Sequence, residues 1–422
     1  MRDFTMALES QQQIKLITKQ ESFAVPDTPL AVPGNIDEKA LNELVNQLLK
    51  ETHPDYLKSK QFDFIAAGEL LRTTLDEHLK ERAISTETTV DIEYVQRTPA
   101  PEPEDSILHD DWISGIHTCA DKWILTGCYD NSVNIWTSHG KSIVSLKEHS
   151  NIVKDVKWIS KDEPQKGFVS VSHDLTGILW EWEEGTSKAK PFLTLKGHSR
   201  GIDCVGVSPN SEKLATGGWD TTLKIWSARL EKDNEEPVAK KIKGKSDGTV
   251  RTPLNTLEGH KETVSSVCWI DNHDIVTTSM DHTIKIWDAE LNGIKNELVG
   301  QKAYLSSSWS VLSKHLLTTS ADQYIRLYDP RSTEGVVCKT TFTSHNGWIS
   351  SVDWSPYSEY LFLSGGYDTK VKLWDTRSPK APLYDMQGHE GQVLRVDWSN
   401  KKYLISGGAD NSVHIFKNRD MM

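Results

Sequence analysis

Five cysteines in 422 residues are too few and too scattered to staple a fold. Cys119, Cys128, Cys204, Cys268 and Cys338 are odd in number, and none stands in a Cys-x-x-Cys pair. That spacing suggests no zinc site and points to a reducing compartment, where four of the five (all but Cys338) read as small buried apolar side chains on strands. No apolar run approaches the ~18 residues that a membrane-spanning helix needs, and no secretory leader pattern is expected. There is no phosphate loop, no His-Glu-x-x-His and no Gly-x-Ser-x-Gly elbow, so the common nucleotide-binding and hydrolase signatures are missing. Positive charge is in deficit as well. With 48 Lys+Arg against 60 Asp+Glu the formal charge is −12, which argues against phosphate-backbone binding as the main activity.

What the sequence has instead is a repeat. Seven aspartates, Asp130, Asp174, Asp220, Asp281, Asp322, Asp368 and Asp410, lie 44, 46, 61, 41, 46 and 42 residues apart. Four residues before each is a hydroxyl (Thr126, Ser170, Thr216, Thr277, Thr318, Ser364, Ser406), and six after each is an aromatic (Trp136, Trp180, Trp226, Trp287, Tyr328, Trp374, Phe416). A histidine precedes six of the seven: His109, His149, His198, His260, His345 and His389; Gly300-Gln301 stands in its place in the fifth repeat. A period in the low forties with Trp287-Asp288, Tyr328-Asp329 and Trp374-Asp375 resembles the WD-repeat family, so the fold class expected is an all-β seven-bladed WD40 β-propeller. The family places the histidine in the loop between blades, the aspartate in the turn between the second and third strands, and the hydroxyl and Trp on those strands. Trp158, Trp269, Trp354 and Trp398 each follow a loop histidine by nine residues and fall on strands.

An imidazole buried in such a blade needs partners for both nitrogens, which Asp and a hydroxyl supply, and the indole N–H then donates to the same hydroxyl. The sets His198, Thr216, Asp220, Trp226 and His345, Ser364, Asp368, Trp374 are therefore read as structural tetrads. Ser364, His345 and Asp368 imitate a catalytic triad, but a hydrolase does not carry one triad per blade, and the chain is expected not to be an enzyme. The fifth blade, without its histidine, is expected to depend less on Asp322.

The repeats need only residues 106–417. Ser106-Ile107-Leu108 is expected to supply the missing fourth strand of the last blade and close the ring, removing exposed sheet edges. Residues 98–105, with Pro99, Pro101, Pro103, Glu102, Glu104 and Asp105, read as a stiff acidic linker. Upstream, residues 1–97 read as an α+β domain: strands over 14–18 and 23–25, a helix over 37–51 with Leu41, Leu44, Val45, Leu48 and Leu49 on one stripe, a strand at 62–65 continued near Leu70-Leu71-Arg72, a short helix over 75–82 and a last strand over 89–95. That order resembles the ubiquitin-like β-grasp. The 61-residue interval leaves an insert at 228–253 whose Lys240, Lys241, Lys243, Lys245 and Arg251 read as a solvated loop or as a nuclear-localisation or RNA-contacting segment.

A ubiquitin-like head on a seven-bladed propeller resembles the Notchless-type ribosome-assembly factors, and most closely the WD-repeat subunit of the pescadillo–Bop (PeBoW) complex. The resemblance rests on Phe62-Asp63-Phe64-Ile65 with Leu71-Arg72, on Val90-Asp91-Ile92-Glu93-Tyr94-Val95, on His109-Asp110-Asp111-Trp112-Ile113-Ser114 and on Trp123-Ile124-Leu125-Thr126-Gly127. It implies work on the pre-60S particle and its rRNA in the nucleolus and nucleoplasm, a propeller that binds a Bop-type propeller beside pescadillo, and a head that docks on the ATPase midasin. It also implies that Glu87, in Ile84-Ser85-Thr86-Glu87, completes the shell of a Mg²⁺ held by midasin; a hard cation takes oxygen ligands. A substrate adaptor of a ubiquitin ligase is the alternative, but it predicts a helical box before the propeller, and none is legible.

The partner surface is expected on one rim. The residue three after the loop histidine and the residue before the turn aspartate share it in WD propellers: Trp112, Ile152 and Trp348, with Tyr304 in the shifted fifth blade, and Tyr129, His173, Trp219, Met280 and Tyr367. Aromatics and Met gathered on one face suit an interface core.

Overall fold

The computed structural model describes residues 11–53, 59–84, 88–230, 249–330 and 338–419. The chain divides near Pro99 into two compact units.

The first is a five-stranded sheet, ordered β2-β1-β5-β3-β4, from β1 (Gln11–Ile17), β2 (Leu30–Pro33), β3 (Phe62–Ala66), β4 (Glu69–Leu70) and β5 (Val90–Gln96). β1 and β5 run parallel at its centre and the other pairs antiparallel, which is the β-grasp arrangement. Helix α1 (Glu38–Thr52) begins at Asp37, whose carboxylate accepts the Ala40 N–H at 2.9 Å and satisfies one of the open donors of the first turn. Its stripe Leu41, Val45 and Leu49 is buried with Phe62, Phe64, Ile92 and Tyr94. From the same helix Asn42 clamps the N–H and C=O of Phe62 (2.7 and 2.9 Å), and Asn46 clamps those of Lys60 (2.9 and 2.8 Å). Two amides one turn apart thus pair backbone that the two-residue β4 leaves open. The expected second strand at 23–25 is corrected: Phe23 ends a 3-10 turn (Glu21–Phe23), and the strand is Leu30–Pro33. Phe23 is apolar because it packs on the core from a loop, its carbonyl taking the Tyr94 hydroxyl at 2.6 Å.

The second unit consists of seven sheets, each with an antiparallel core of four strands. The first strand of each contacts that of the next, and the seventh contacts the first, so the ring is closed. Contact between blades is close. A Cβ on Gly217 of blade three would lie 2.5 Å from Val264, the first residue of the inner strand of blade four, so only glycine fits between the two sheets. Indoles bind the blades together: Trp158, Trp269 and Trp354, buried on inner strands, donate to the carbonyls of His117, Gly206 and Ser308 in the preceding blade at 3.2, 3.3 and 3.1 Å.

Closure of blade seven differs from expectation in extent. Its outer strand β6 runs Glu102–Leu108, pairing Leu108 with Ser412 and Glu102 with Lys417. The acidic segment read as the end of a linker at 98–105 is therefore blade from Glu102 onward. An outer strand accepts Pro103 and exposed acids because its far edge needs no ladder partner, and charge there discourages further pairing. The insert is also partly built in. Thr249–Arg251 adds a parallel fifth strand to blade two against Leu193–Leu195, and Arg251, buried, donates to the carbonyls of Ser227 and Arg229 at 2.9 and 2.8 Å. Arg251 is thus an anchor and not part of a basic surface; Lys240, Lys241, Lys243 and Lys245 lie outside the described residues.

Candidate functional site

The site is built on the rim where the loop entering each blade meets the turn between its second and third strands, here called the top. Each of the seven aspartates accepts the N–H two residues on, at 2.9 to 3.4 Å, which is why a short acceptor stands at that place in the turn. In six blades the next residue is left-handed: Asn131, Leu175, Thr221, His282, Thr369 and Asn411. Conformations of this kind are unfavourable for Leu and Thr and persist only where the surroundings over-determine them.

The tetrads supply that constraint. In blade three His198 meets Asp220 through Nδ1 at 2.8 Å and Thr216 through Nε2 at 2.7 Å, and Trp226 donates to Thr216 at 2.8 Å. In blade six His345 meets Asp368 at 2.9 Å and Ser364 at 2.8 Å, with Trp374 on Ser364 at 2.9 Å. Blades two and four repeat the pattern. Burial alone would raise the Asp220 and Asp368 carboxyls, but the histidine, the following backbone N–H and neighbouring donors hold both at about 2. The hydroxyls of Thr216 and Ser364 are buried and receive the indole.

Blade five solves the same problem otherwise. Its inner strand starts at Tyr304, so Gly300 occupies the histidine place and Tyr304 falls on the position that Ile202 and Val264 hold elsewhere. Tyr304 is consequently buried rather than displayed on the rim, which corrects the expectation for it. Its hydroxyl lies 3.2 Å from that of Tyr328, and a Cβ on Gly300 would meet it at 2.4 Å. Asp322 has a different partner in place of the histidine, pairing with Arg326 at 2.7 Å.

At the rim, the residue before each turn aspartate donates its N–H to the carbonyl at the loop position, in all seven blades at 2.7 to 3.1 Å: Tyr129 to Trp112, His173 to Ile152, Trp219 to Gly201, Met280 to Thr263, Ala321 to Ala303, Tyr367 to Trp348 and Ala409 to Gln392. Side chains of both sets are thereby brought together in pairs. Trp112 packs on Tyr129 with ring centres 5.5 Å apart, and Trp348 on Tyr367 at 5.9 Å. Trp112, Trp219, Trp348 and Tyr367 are 45, 48, 51 and 37 % exposed, far more than indoles in a core; Tyr129, Ile152 and Met280 are half-buried. Trp219 is held rigidly. Its indole N–H donates to Asp203 at 2.7 Å, the other oxygen of Asp203 meets His173 at 2.6 Å, and the Trp219 and His173 rings lie 4.7 Å apart. Asp203 was not singled out by the sequence reading, although an acid on an otherwise apolar inner strand is a signal for such a clamp. Lys154, over the Tyr129 ring at 5.3 Å, was missed as well.

Other chemistry is scarce. Burial pushes the Cys119 and Cys128 thiols up to about 12, which suppresses thiolate reactivity; Cys268, expected to be buried, is half-buried. His389, Asp410 and His414 bring three possible metal-ligand atoms within 4.8 Å of one another, but both nitrogens of His389 are already engaged, by Asp410 at 2.9 Å and Ser406 at 2.8 Å. Glu87 lies outside the described residues.

Residues 12–79 match the NLE (NUC135) domain, and 189–227, 251–288, 336–375 and 380–417 match the WD domain, G-beta repeat. Across nearly its whole length the chain is similar to proteins named ribosome biogenesis protein WDR12 homolog. It is 48% identical to that of Aedes aegypti over 412 residues (97% of this chain, 96% of the relative). It is 49% identical to those of Culex quinquefasciatus over 413 residues and Drosophila virilis over 409, with the same shares covered. With a ubiquitin-like head, a seven-bladed WD propeller and this degree of identity, the chain belongs to the WDR12 family of ribosome biogenesis proteins.

Proposed function

We propose that this protein is a non-catalytic scaffold in the assembly of the large ribosomal subunit, with its propeller top as a protein-docking face. The partner in this reading is a Bop-type propeller, in a complex that includes pescadillo and sits on the pre-60S particle in the nucleolus and nucleoplasm. The observation that carries it is the set of exposed indoles Trp112, Trp219 and Trp348, with Trp112 and Trp348 bonded through their backbone to the turn and Trp219 bonded to the loop and to Asp203 on the inner strand. Rigid, exposed aromatics lose little entropy on burial and are the side chains that dominate interface energies. The head is assigned a separate task, docking on midasin, with the Glu87 carboxylate as one oxygen ligand of the Mg²⁺ there.

The test is binding of purified Bop-type propeller to the full chain carrying Trp219→Ala and Trp348→Ala. At ~2 kcal/mol for each hot-spot residue, affinity should fall by at least about 30-fold per substitution with the melting temperature held. Wild-type affinity in a folded double variant would sink the docking reading. Glu87→Ala should leave this binding intact while removing Mg²⁺-dependent attachment to midasin.

A further inference from the structure

The loops of the top face carry charge in a fixed order. In blades two, three, four, six and seven the residue after the histidine donates its N–H to the turn aspartate: Ser150, Ser199, Lys261, Asn346 and Glu390, at 2.9 to 3.1 Å. That bond is made in five blades, and in all seven the turn N–H donates to the carbonyl of the residue that follows these two positions, so their side chains stand at comparable places around the ring. Read in ring order, the two positions are Asp110-Asp111, Ser150-Asn151, Ser199-Arg200, Lys261-Glu262, Gln301-Lys302, Asn346-Gly347 and Glu390-Gly391. Blades seven and one, which are neighbours through ring closure, carry three acids and no base. Blades three to five, across the ring, carry three bases and one acid. Asp110, Arg200, Lys261, Lys302 and Glu390 are exposed, and among the described residues none of the five is engaged in an ion pair.

We propose that this face reads the orientation of a folded protein partner. Side chains of positive sign on the partner lie over blades seven and one, those of negative sign lie over blades three to five, and the rim aromatics, which fall both within these sectors and between them, supply the contact area. The inference rests on the docking reading above and adds to it the azimuth at which the partner seats. Charges at a rim of this kind govern encounter and register more than the lifetime of the complex. A polyanion such as RNA fits less well, because the acidic sector repels phosphate wherever the strand crosses it. A surface of opposite polarity satisfies both sectors at once, and only in one rotation about the propeller axis.

The experiment measures association and dissociation rates of purified Bop-type propeller with the full chain at low and high salt. The variants are Asp110→Lys with Glu390→Lys, Lys261→Glu with Lys302→Glu, and the Trp219→Ala, Trp348→Ala pair. Each charge pair should slow association about tenfold at low ionic strength, with much smaller changes in dissociation. The deficit should vanish near 1 M salt, where the screening length is about 3 Å. If the tryptophan pair weakens binding and neither charge pair changes the association rate at low salt, the orientation inference is wrong and the docking reading stands. If no variant weakens binding, the docking reading is wrong and this inference falls with it. If Lys261→Glu with Lys302→Glu abolishes binding of a single-stranded RNA oligonucleotide and leaves the propeller partner's association untouched, the basic sector serves nucleic acid and the proposal is overturned.

Discussion

Blades three and five place the same strands around the same burial problem and reach different chemistry. Blade three buries one imidazole and gives every polar atom of its tetrad a partner, from Asp220 through His198 and Thr216 to Trp226. Blade five removes the imidazole, brings in Tyr304 from the strand below, and leaves the Thr318 hydroxyl buried without a partner. Its aspartate turns to Arg326 instead, and Arg326 also holds Ser320 at 2.6 Å. The turn responds: Gln323, unlike its six counterparts, is not left-handed. The tetrad is thus one way of anchoring the loop between blades, and its energetic weight lies in the partners it satisfies rather than in any one of its residues.

The largest effect that sharpens this contrast is at the aromatic position. Trp226 is fully buried, against Thr216 and beneath Gly197. Trp226→Ala should destabilise by about 3–5 kcal/mol through the cavity it leaves, read in urea unfolding. Tyr328→Phe in blade five removes only one hydroxyl contact at 3.2 Å and should cost about 1 kcal/mol. Similar losses at the two sites would mean that the aromatic acts by its polar group alone.

A smaller and sharper pair is the hydroxyl. Thr216→Val strips the acceptor from Trp226 and the partner from His198 in a dry site and should cost about 1–3 kcal/mol, the cost of burying polar groups unsatisfied. Thr318→Val removes a hydroxyl that bonds nothing, so it should be neutral or raise the melting temperature. If both cost the same, the partners in blade three are contributing no more than shape.

Much of this was legible in the sequence, for identifiable reasons. A period set by turn chemistry announces itself, because each turn needs an Asp and each buried Asp–His pair needs a hydroxyl and an indole. The α1 stripe was legible from its 3.6-residue spacing. The rim aromatics Trp112, Trp219 and Trp348 followed from their fixed offsets to His and Asp. What escaped were features decided by neighbours distant in sequence. Phe23 looks like a strand residue and is a loop residue packed inward. Glu102 to Asp105 look like a linker because an outer strand tolerates the same acids and prolines. Arg251 looks like surface charge until Ser227 and Arg229 supply carbonyls for it. Tyr304 falls on the rim if Gln301 takes the histidine place, and inside the blade when Gly300 does, as the strand starting at Tyr304 requires.

The smallest effect lies in blade one, which stands between the two solutions. His109 keeps its bond to Thr126 at 2.9 Å, and Trp136 keeps its own at 3.1 Å, but Asp130 is paired with Lys147 at 2.9 Å, and the His109 Nδ1 is buried without a partner. Burial with no facing carboxylate on that nitrogen lowers the His109 pKa from 6.5 to about 4. The sign follows from the neutral ring being the form that is buried. A folded-state pKa below the unfolded value means that the unfolded chain takes up the proton first, so the contribution is complete above about 6.5 and is lost as pH falls from there toward 4. Lys147→Met should release Asp130 to face the imidazole as Asp220 faces His198, raising the His109 pKa and narrowing that window. An NMR titration of the His109 ring in the two proteins reads this directly. A wild-type ring that titrates at its ordinary value, or one that does not move when Lys147 is removed, would show that the Lys147–Asp130 pair is not what keeps a carboxylate from this imidazole.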